Sequence, residues 1–431
     1  MRLKKALCMA LCALMLVSLL PVGALAAEEH CEHHPADHVC GANCDYVCDI
    51  CVAEIRAMVD ALPDMTAITD ETKAEVAEQL SAIDGRKALV SDDTQMILFT
   101  ANGMLMGITR GYMRGIGGRP EMYVEYAYRD WYYTQIGKQE GYLPHTWLYA
   151  LPELEHSRAP GITCLNACKA LIDLQEVVNN SKGCGGIMRV APLSLVLAGY
   201  MVRDGDACYS LEELAQAGGI VAECTHKHPL GFIPAAALAV LIYKVSLLPT
   251  EEACENIDRI IEESLWVLNS AYADSRYSDY KRELQRLSNK ALDLAHSDIS
   301  DERAISMLGE GWTADEAWAI AIYCVVRHVD SVERAIIASV NHDGDSDSTG
   351  SIVGNIMGAI YGYKYIKERN IFCPEGCELE QTLELSEITL AIADDLTTSC
   401  IIQPYEDFDT PAKLQWYARY VHHEPVGIGC K

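Results

Sequence analysis

From residue 92 onward the hydrophobic positions recur with a helical period. Asp92 to Met106 reads as the first helix of this region. Further helices are predicted over 190–203, 210–222, 233–247, 251–271, 279–295, 312–327, 330–340, 349–367 and 386–397. Glycines and prolines fall between these runs, where they end helices at little cost. Alternation with a period of two is rare, and no longer repeat recurs, which excludes a stacked solenoid. The pattern predicts an all-α compact domain over 90–400, followed by a C-terminal tail over 401–431.

The pattern changes before residue 90. Val52, Ile55, Met58, Val59 and Leu62 have helical spacing, and Pro63-Asp64 breaks the run. A second helix carries Val76, Leu80 and Ile83, so residues 52–89 read as a helical hairpin spacer. Residues 27–51 are a Cys/His-rich module with His30, Cys31, His33, His34, His38, Cys40, Cys44, Cys48 and Cys51. Cys48-x-x-Cys51 suits one edge of a tetrahedral Zn²⁺ site, and a small knot of disulfides suits residues 31–51 equally.

Residues 1–26 have the pattern of a signal peptide. Arg2, Lys4 and Lys5 precede an apolar run from Ala6 to Leu20, and Ala24-Leu25-Ala26 offers the small residues of a cleavage site. No second apolar run of that length is evident. The mature chain is therefore expected to be secreted or displayed at the cell surface, without membrane insertion. Export permits disulfides, and Cys373, Cys377, Cys400 and Cys430 are the better later candidates, with no connectivity deducible from the sequence. Cys324, inside AIYCVV, reads instead as a buried thiol.

Composition narrows the function. Half the residues are hydrophobic and 22% are charged, as in an ordinary globular protein. Lys plus Arg is 34 against 62 Asp plus Glu, a net charge of -28. Such a balance excludes a protein that grips a nucleic-acid backbone or a polybasic membrane-surface protein. Residues 112–149 hold eight Tyr and two Trp. A groove wall would use such residues, and an amphipathic packing face is the plainer reading.

Two carboxylate clusters stand directly before apolar helices. One is Ser91-Asp92-Asp93-Thr94, and the other runs Asn341-His342-Asp343-Gly344-Asp345-Ser346-Asp347-Ser348-Thr349. N-capping needs one side-chain oxygen, and both clusters offer more. Hard oxygen donors at this density suit Mg²⁺, Mn²⁺ or Ca²⁺ rather than zinc. The second cluster fails the EF-hand pattern, because Ser348 and Gly354 stand where Gly and Glu are needed. If the clusters converge, they can hold two cations that clamp a substrate and activate a water. Asn180 to Gly186 is a Gly-rich turn entering a helix, a weak phosphate-binding signal. Thr225-His226-Lys227-His228-Pro229 is a further polar segment. No G-x-S-x-G elbow is present.

Taken in order, SDDTQM at 91–96, KGCGGIMRVAPL at 182–193, THKHPLG at 225–231 and NHDGDSDSTGSIVGNIMGAIYG at 341–362 resemble the ADP-ribosylglycohydrolase family. The resemblance covers about 90–400. It implies an all-α fold with two Mg²⁺ or Mn²⁺ ions in a central cleft. Ser91, Asp92 and Asp93 would form one metal cluster and Asp345, Asp347 and Ser348 the other, each with Ser for the more usual Thr. Gly183, Gly185, Gly186 and Met188 would line the phosphate-binding turn, and His226 and Asn341 would face the substrate. Asp92 or Asp93 would take a proton from the attacking water. The implied partner is an ADP-ribosylated protein or a small ADP-ribosyl compound. One departure stands out: family members open with a helix carrying G-D-A-x-G, and residues 27–90 contain none. An exported ADP-ribose-binding protein without catalysis is thus the alternative, and hydrolysis of another glycosidic or amide bond on the same fold is a third.

Overall fold

A computed structural model describes residues 88–114, 118–369, 379–400 and 411–426. The expected signal peptide, the Cys/His-rich module and nearly all of the hairpin spacer lie outside the described residues. So do Cys373, Cys377 and Cys430.

The described residues form α-helices and short 3-10 turns, with two isolated β-bridges and no strand. The all-α expectation holds. At the centre is α6 (Pro229–Ser246), with α5 (Leu211–Glu223), α4 (Ala191–Asp204), α8 (Ile257–Ala271) and α11 (Ala314–Arg327) packed on it. Every α6 residue from Leu230 to Val245 except Lys244 is buried. A helix that is apolar all round must lie in the interior. Pro229 sits in its first turn, where no backbone donor is lost. Two segments, 184–204 and 229–246, are long and apolar enough to cross a membrane, contrary to the expectation of no second such run. Each is 83% buried inside the fold, as core helices are.

Most predicted helices appear within a few residues. α9 (Ser278–Ala295), α12 (Val332–Val340), α13 (Ser346–Glu368) and α15 (Ser386–Ser399) are examples. Three differences have physical causes. α1 (Asp92–Arg114) runs beyond Met106, and the Thr109 hydroxyl bonds back to the Leu105 carbonyl at 2.6 Å instead of ending it. The run predicted over 251–271 is two helices, α7 (Thr250–Glu255) and α8, because Asn256 leaves helical geometry at φ -115°, ψ 13°. The Tyr-rich stretch holds α2 (Val124–Ile136), with Tyr128, Trp131 and Trp147 fully buried. It is a packing face.

Helices α3 (Ile162–Ile172), α10 (Asp301–Leu308), α14 (Leu379–Thr382) and α16 (Pro411–Tyr420) complete the described set. Inside the segment expected to be a tail, α16 packs on the domain. Trp416 Nε1 donates to Thr109 Oγ1 at 2.9 Å, and Arg419 and Tyr420 both reach Asp395 at 2.6 Å. Cys400 is buried, and Cys430, named with it as a disulfide candidate, lies outside the described residues. The Cys400 thiol donates to the Leu396 carbonyl at 3.3 Å. Cys324 is buried and free, as expected.

Candidate metal centre

The first turns of α1 and α13 meet. Asp92 and Asp93 open α1, and Asp347 lies in the first turn of α13 just after its cap, Asp345. Asp92, Asp93 and Asp347 each offer one carboxylate oxygen, and these oxygens all lie within 4.8 Å of one another. Two clusters far apart in sequence therefore converge. Among the described residues, no lysine, arginine or histidine forms an ion pair with Asp92, Asp93, Asp345 or Asp347.

The cluster is electrostatically unfavourable when it stands alone. Burial, then Asp347 and Asp345, hold the Asp92 carboxyl far above the usual carboxylate range, and the Gly161 amide, 3.4 Å away, opposes this. Burial raises Asp93 as well, with Asp347, Asp92 and Asp345 adding to it. Burial and Asp347 raise Asp345. Like charges taken out of water disfavour ionisation in this way. Asp93 Oδ2 accepts from the Ser91 hydroxyl at 3.2 Å, and Asp93 Oδ1 is buried with no hydrogen-bond partner. A buried acceptor without a donor is costly. A divalent cation fits this donor set, since it prefers carboxylate and hydroxyl oxygens and neutralises their mutual repulsion.

Both clusters are braced. The Asp92 amide donates to the Arg158 carbonyl at 3.0 Å. Gln95, one turn further, accepts from Trp131 Nε1 and Gln135 Nε2 and donates to the His156 carbonyl. In the second cluster the Asp345 amide donates to the Glu310 carbonyl at 2.7 Å. The chain passes so close there that a Cβ on Gly344 would fall 1.8 Å from that oxygen. His342 Nδ1 accepts from the Gly344 amide at 3.1 Å, which leaves Nε2 as the donor to Thr349 Oγ1 at 2.9 Å. Thr349 Oγ1 in turn donates to the Ser339 carbonyl at 2.6 Å.

The Gly-rich turn reaches the same place. Gly183 bridges Thr313, and the Cys184 amide donates to the Trp312 carbonyl. Gly185 and Gly183 lie against His226, and a Cβ on Gly185 would come within 2.8 Å of Cys164 Sγ. A Cβ on Gly186 would press on Ala222 and the Gly231 carbonyl. Met188 is buried beneath, with its sulfur 3.8 Å from the Ser348 hydroxyl. His226 is buried, and burial together with Arg189 lowers its pKa to about 3, so the ring is neutral. Its Nδ1 lies 2.8 Å from Thr225 Oγ1. Asn341 caps the C-terminal end of α12 and is exposed.

Two residues of this region were not singled out in sequence. The Cys184 thiol donates to Asp345 Oδ2 at 2.5 Å. Arg189 is fully buried, stacked over Tyr128 at 4.3 Å, and donates to Thr225 Oγ1 and the Val221 carbonyl. Both lie inside the KGCGGIMR motif, where Cys184 stands between Gly183 and Gly185 and Arg189 is a charged residue within an apolar run.

The ADP-ribosylglycohydrolase family model matches residues 46–406. The match begins inside the segment read as module and spacer, and it takes in both carboxylate clusters. The chain is 28% identical over 217 residues to ADP-ribosylhydrolase ARH3 of Mus musculus, covering 47% of this chain and 56% of that protein. It is 24% identical over 276 residues to ADP-ribosylhydrolase ARH1 of Dictyostelium discoideum, covering 53% and 68%. The chain thus spans little more than half the length of the ARH3 relative. A solved "ADP-ribosylglycohydrolase-related protein complex" aligns over 72% of this chain and 82% of that one, at 19% identity and a TM-score of 0.42. With a match over most of its length that includes the converging carboxylates and the turn beside them, the chain belongs to the ADP-ribosylglycohydrolase family.

Proposed function

We propose that the protein hydrolyses the glycosidic bond between ADP-ribose and an acceptor, on a protein or a small molecule. The observation that carries this reading is the convergence of Asp92, Asp93 and Asp347, with one buried Asp93 oxygen left without a donor. Two divalent cations, Mg²⁺ or Mn²⁺, would supply positive charge there beside the ribose hydroxyls and a water. Ser91, Asp92, Asp93, Asp345, Asp347 and Ser348 are the residues to hold them. A carboxylate of the first cluster takes the proton as the water oxygen bonds to the anomeric carbon. The bond from that carbon to the acceptor breaks, and the acceptor atom leaves with the proton that the carboxylate returns. Gly183, Gly185, Gly186 and Met188 form the turn that meets the diphosphate. Neutral, buried His226 backs the turn from behind, and exposed Asn341 is the side chain that faces the substrate.

The missing G-D-A-x-G segment favours a second reading, an ADP-ribose-binding protein without turnover. One pair of measurements separates the two. ADP-ribose is titrated calorimetrically into the protein with Mn²⁺ and with EDTA, and release is followed from ADP-ribosyl-arginine and ADP-ribosyl-serine peptides. Metal-dependent binding and release, both lost in Asp93→Asn, support hydrolysis. Binding without release supports the second reading. A folded sample that does not bind ADP-ribose contradicts both.

A further inference from the structure

Arg189 is a cation with no exposed surface, 0%. Among the described residues, the groups that receive its hydrogen bonds are the Met96, Cys164 and Cys224 sulfurs, the Val221 carbonyl and the Thr225 hydroxyl, none of them a carboxylate. A buried charge held only by neutral groups is destabilising. One of those groups leads on to the Gly-rich turn. An arginine N–H can only donate, so the Thr225 oxygen accepts from Arg189 and keeps its own proton to give. Two acceptors stand near that proton, His226 Nδ1 at 2.8 Å and the Ala222 carbonyl at 3.4 Å. The shorter contact has the better hydrogen-bond geometry and takes it. An N–H on Nδ1 would instead aim a second positive dipole at an oxygen that already faces the guanidinium. His226 is buried and neutral, so its ring carries one proton. With Nδ1 accepting, that proton sits on Nε2. Nε2 is the ring atom against the turn: a Cβ on Gly183 would fall 3.3 Å from it, and one on Gly185 3.4 Å.

We propose that Arg189 is a positioning residue: through Thr225 it locks His226 in the Nε2–H tautomer, so that the ring turns the positive end of an N–H toward the Gly-rich turn. This rests on the hydrolase reading above, in which that turn meets the diphosphate. The opposite tautomer would turn a lone pair to the turn and oppose an anion held there. The relay acts from behind, through the ring and the turn, and Arg189 itself touches no substrate. It also accounts for a buried cation without a carboxylate partner. A carboxylate beside Arg189 would compete with Thr225 for its N–H groups and cancel the charge that keeps a second proton off the imidazole.

The test reads the tautomer by nitrogen NMR of the whole chain labelled with ¹⁵N-histidine, with His226 assigned by the signals lost in His226→Gln. Wild type should show an unprotonated Nδ1 and a protonated Nε2. Thr225→Val cuts the relay while Arg189 keeps its other partners, and should release the ring to a mixture of tautomers. Thr225→Ser keeps the hydroxyl and should restore the wild-type pattern. ADP-ribose, titrated with Mn²⁺ present, should bind about three- to tenfold more weakly to Thr225→Val, and release from an ADP-ribosyl peptide should show a raised KM with kcat little changed. Packing by Arg189 alone would not move the tautomer. A protonated Nδ1 in wild type, or a tautomer unmoved in Thr225→Val, overturns the proposal and leaves the hydrolase reading standing. So does a tautomer that shifts with no change in ADP-ribose affinity. A folded wild type that binds no ADP-ribose overturns the hydrolase reading itself.

Discussion

Asp130 and Asp93 are the same residue type with almost the same exposure, 0% and 1%. Their surroundings are opposite. Asp130 accepts from the Tyr142 hydroxyl at 2.7 Å, the amides of His145 and Thr146 at 2.9 and 2.7 Å, and the Thr146 hydroxyl at 2.7 Å. Those donors replace the water it gave up, so the group is complete within the chain. Asp93 has only the hydroxyls of Ser91 and Ser348 beside it, an Oδ1 without a well-formed hydrogen bond, and three carboxylates for neighbours. Burial alone does not mark a functional carboxylate. The donor supply does, and a deficit of donors in the company of like charges marks a place for a cation.

The contrast can be broken most severely at Asp130. Asp130→Ala removes the acceptor of four donors at once and should cost about 3–5 kcal/mol of unfolding free energy, read by urea denaturation. Asp93→Ala should leave the stability of the metal-free protein unchanged or raised, since it deletes an unpaired, repelled group. If both substitutions destabilise alike without metal, the distinction fails.

Next in size is the response to metal. A cation that binds only the folded cluster should stabilise the wild type by about 2.7 kcal/mol at a free concentration a hundred times its Kd. Thermal melts with Mn²⁺ should show this rise in wild type and in Arg282→Ala, an exposed control on α9, and none in Asp345→Ala. Gly344→Ala should act more modestly, at about 1–3 kcal/mol, because its Cβ meets the Glu310 carbonyl. It should also weaken Mn²⁺ binding by displacing Asp345. An unaltered Mn²⁺ affinity there would show that the loop does not set the carboxylate's position.

The most gradual effect is that of pH. Asp92 and Asp345 have folded-state pKa values raised from 3.8 to about 8 and about 7. The folded protein therefore binds more protons than the unfolded chain between those limits. Their contribution is fully present below about 4 and is lost as pH rises toward 8. Without metal, melting temperature should drift down over that interval. Saturating Mn²⁺ should remove or reverse the drift, and Asp92→Asn should reduce it. A metal-free protein whose stability rises through that window would contradict the account.

Much of this was legible in the sequence because it is local. Two Asp at one helix start and alternating Asp at another exceed what a cap requires, so Asp92, Asp93, Asp345 and Asp347 declared themselves. The helix over 233–247 is read from its period, whereas its all-round apolar character, which also gives it the make-up of a membrane span, follows from its place in the interior. What was not legible depends on contact between distant segments. The approach of Asp347 rather than Asp345 to the Asp92–Asp93 pair is set by how α13 docks. The need for glycine at 344 comes from Glu310, and the place of Cys184 comes from its backbone bonds to Trp312 and the proximity of Asp345. Helix α2 was hidden because tyrosines occupy its buried and exposed faces alike, which blurs the apolar period. Helix α16 is short and gains its burial from α1 and α15, so its own periodicity was a poor guide.

The central claim is that the two carboxylate clusters form one centre for two divalent cations. Its most direct measurement is the number of Mn²⁺ ions bound per chain, counted by electron paramagnetic resonance of free Mn²⁺ during titration. The account predicts two sites in wild type, with loss of at least one in Asp345→Ala and of both in the Asp93→Ala/Asp345→Ala double variant. A wild-type protein that binds none, or binds equally well after both substitutions, would contradict it.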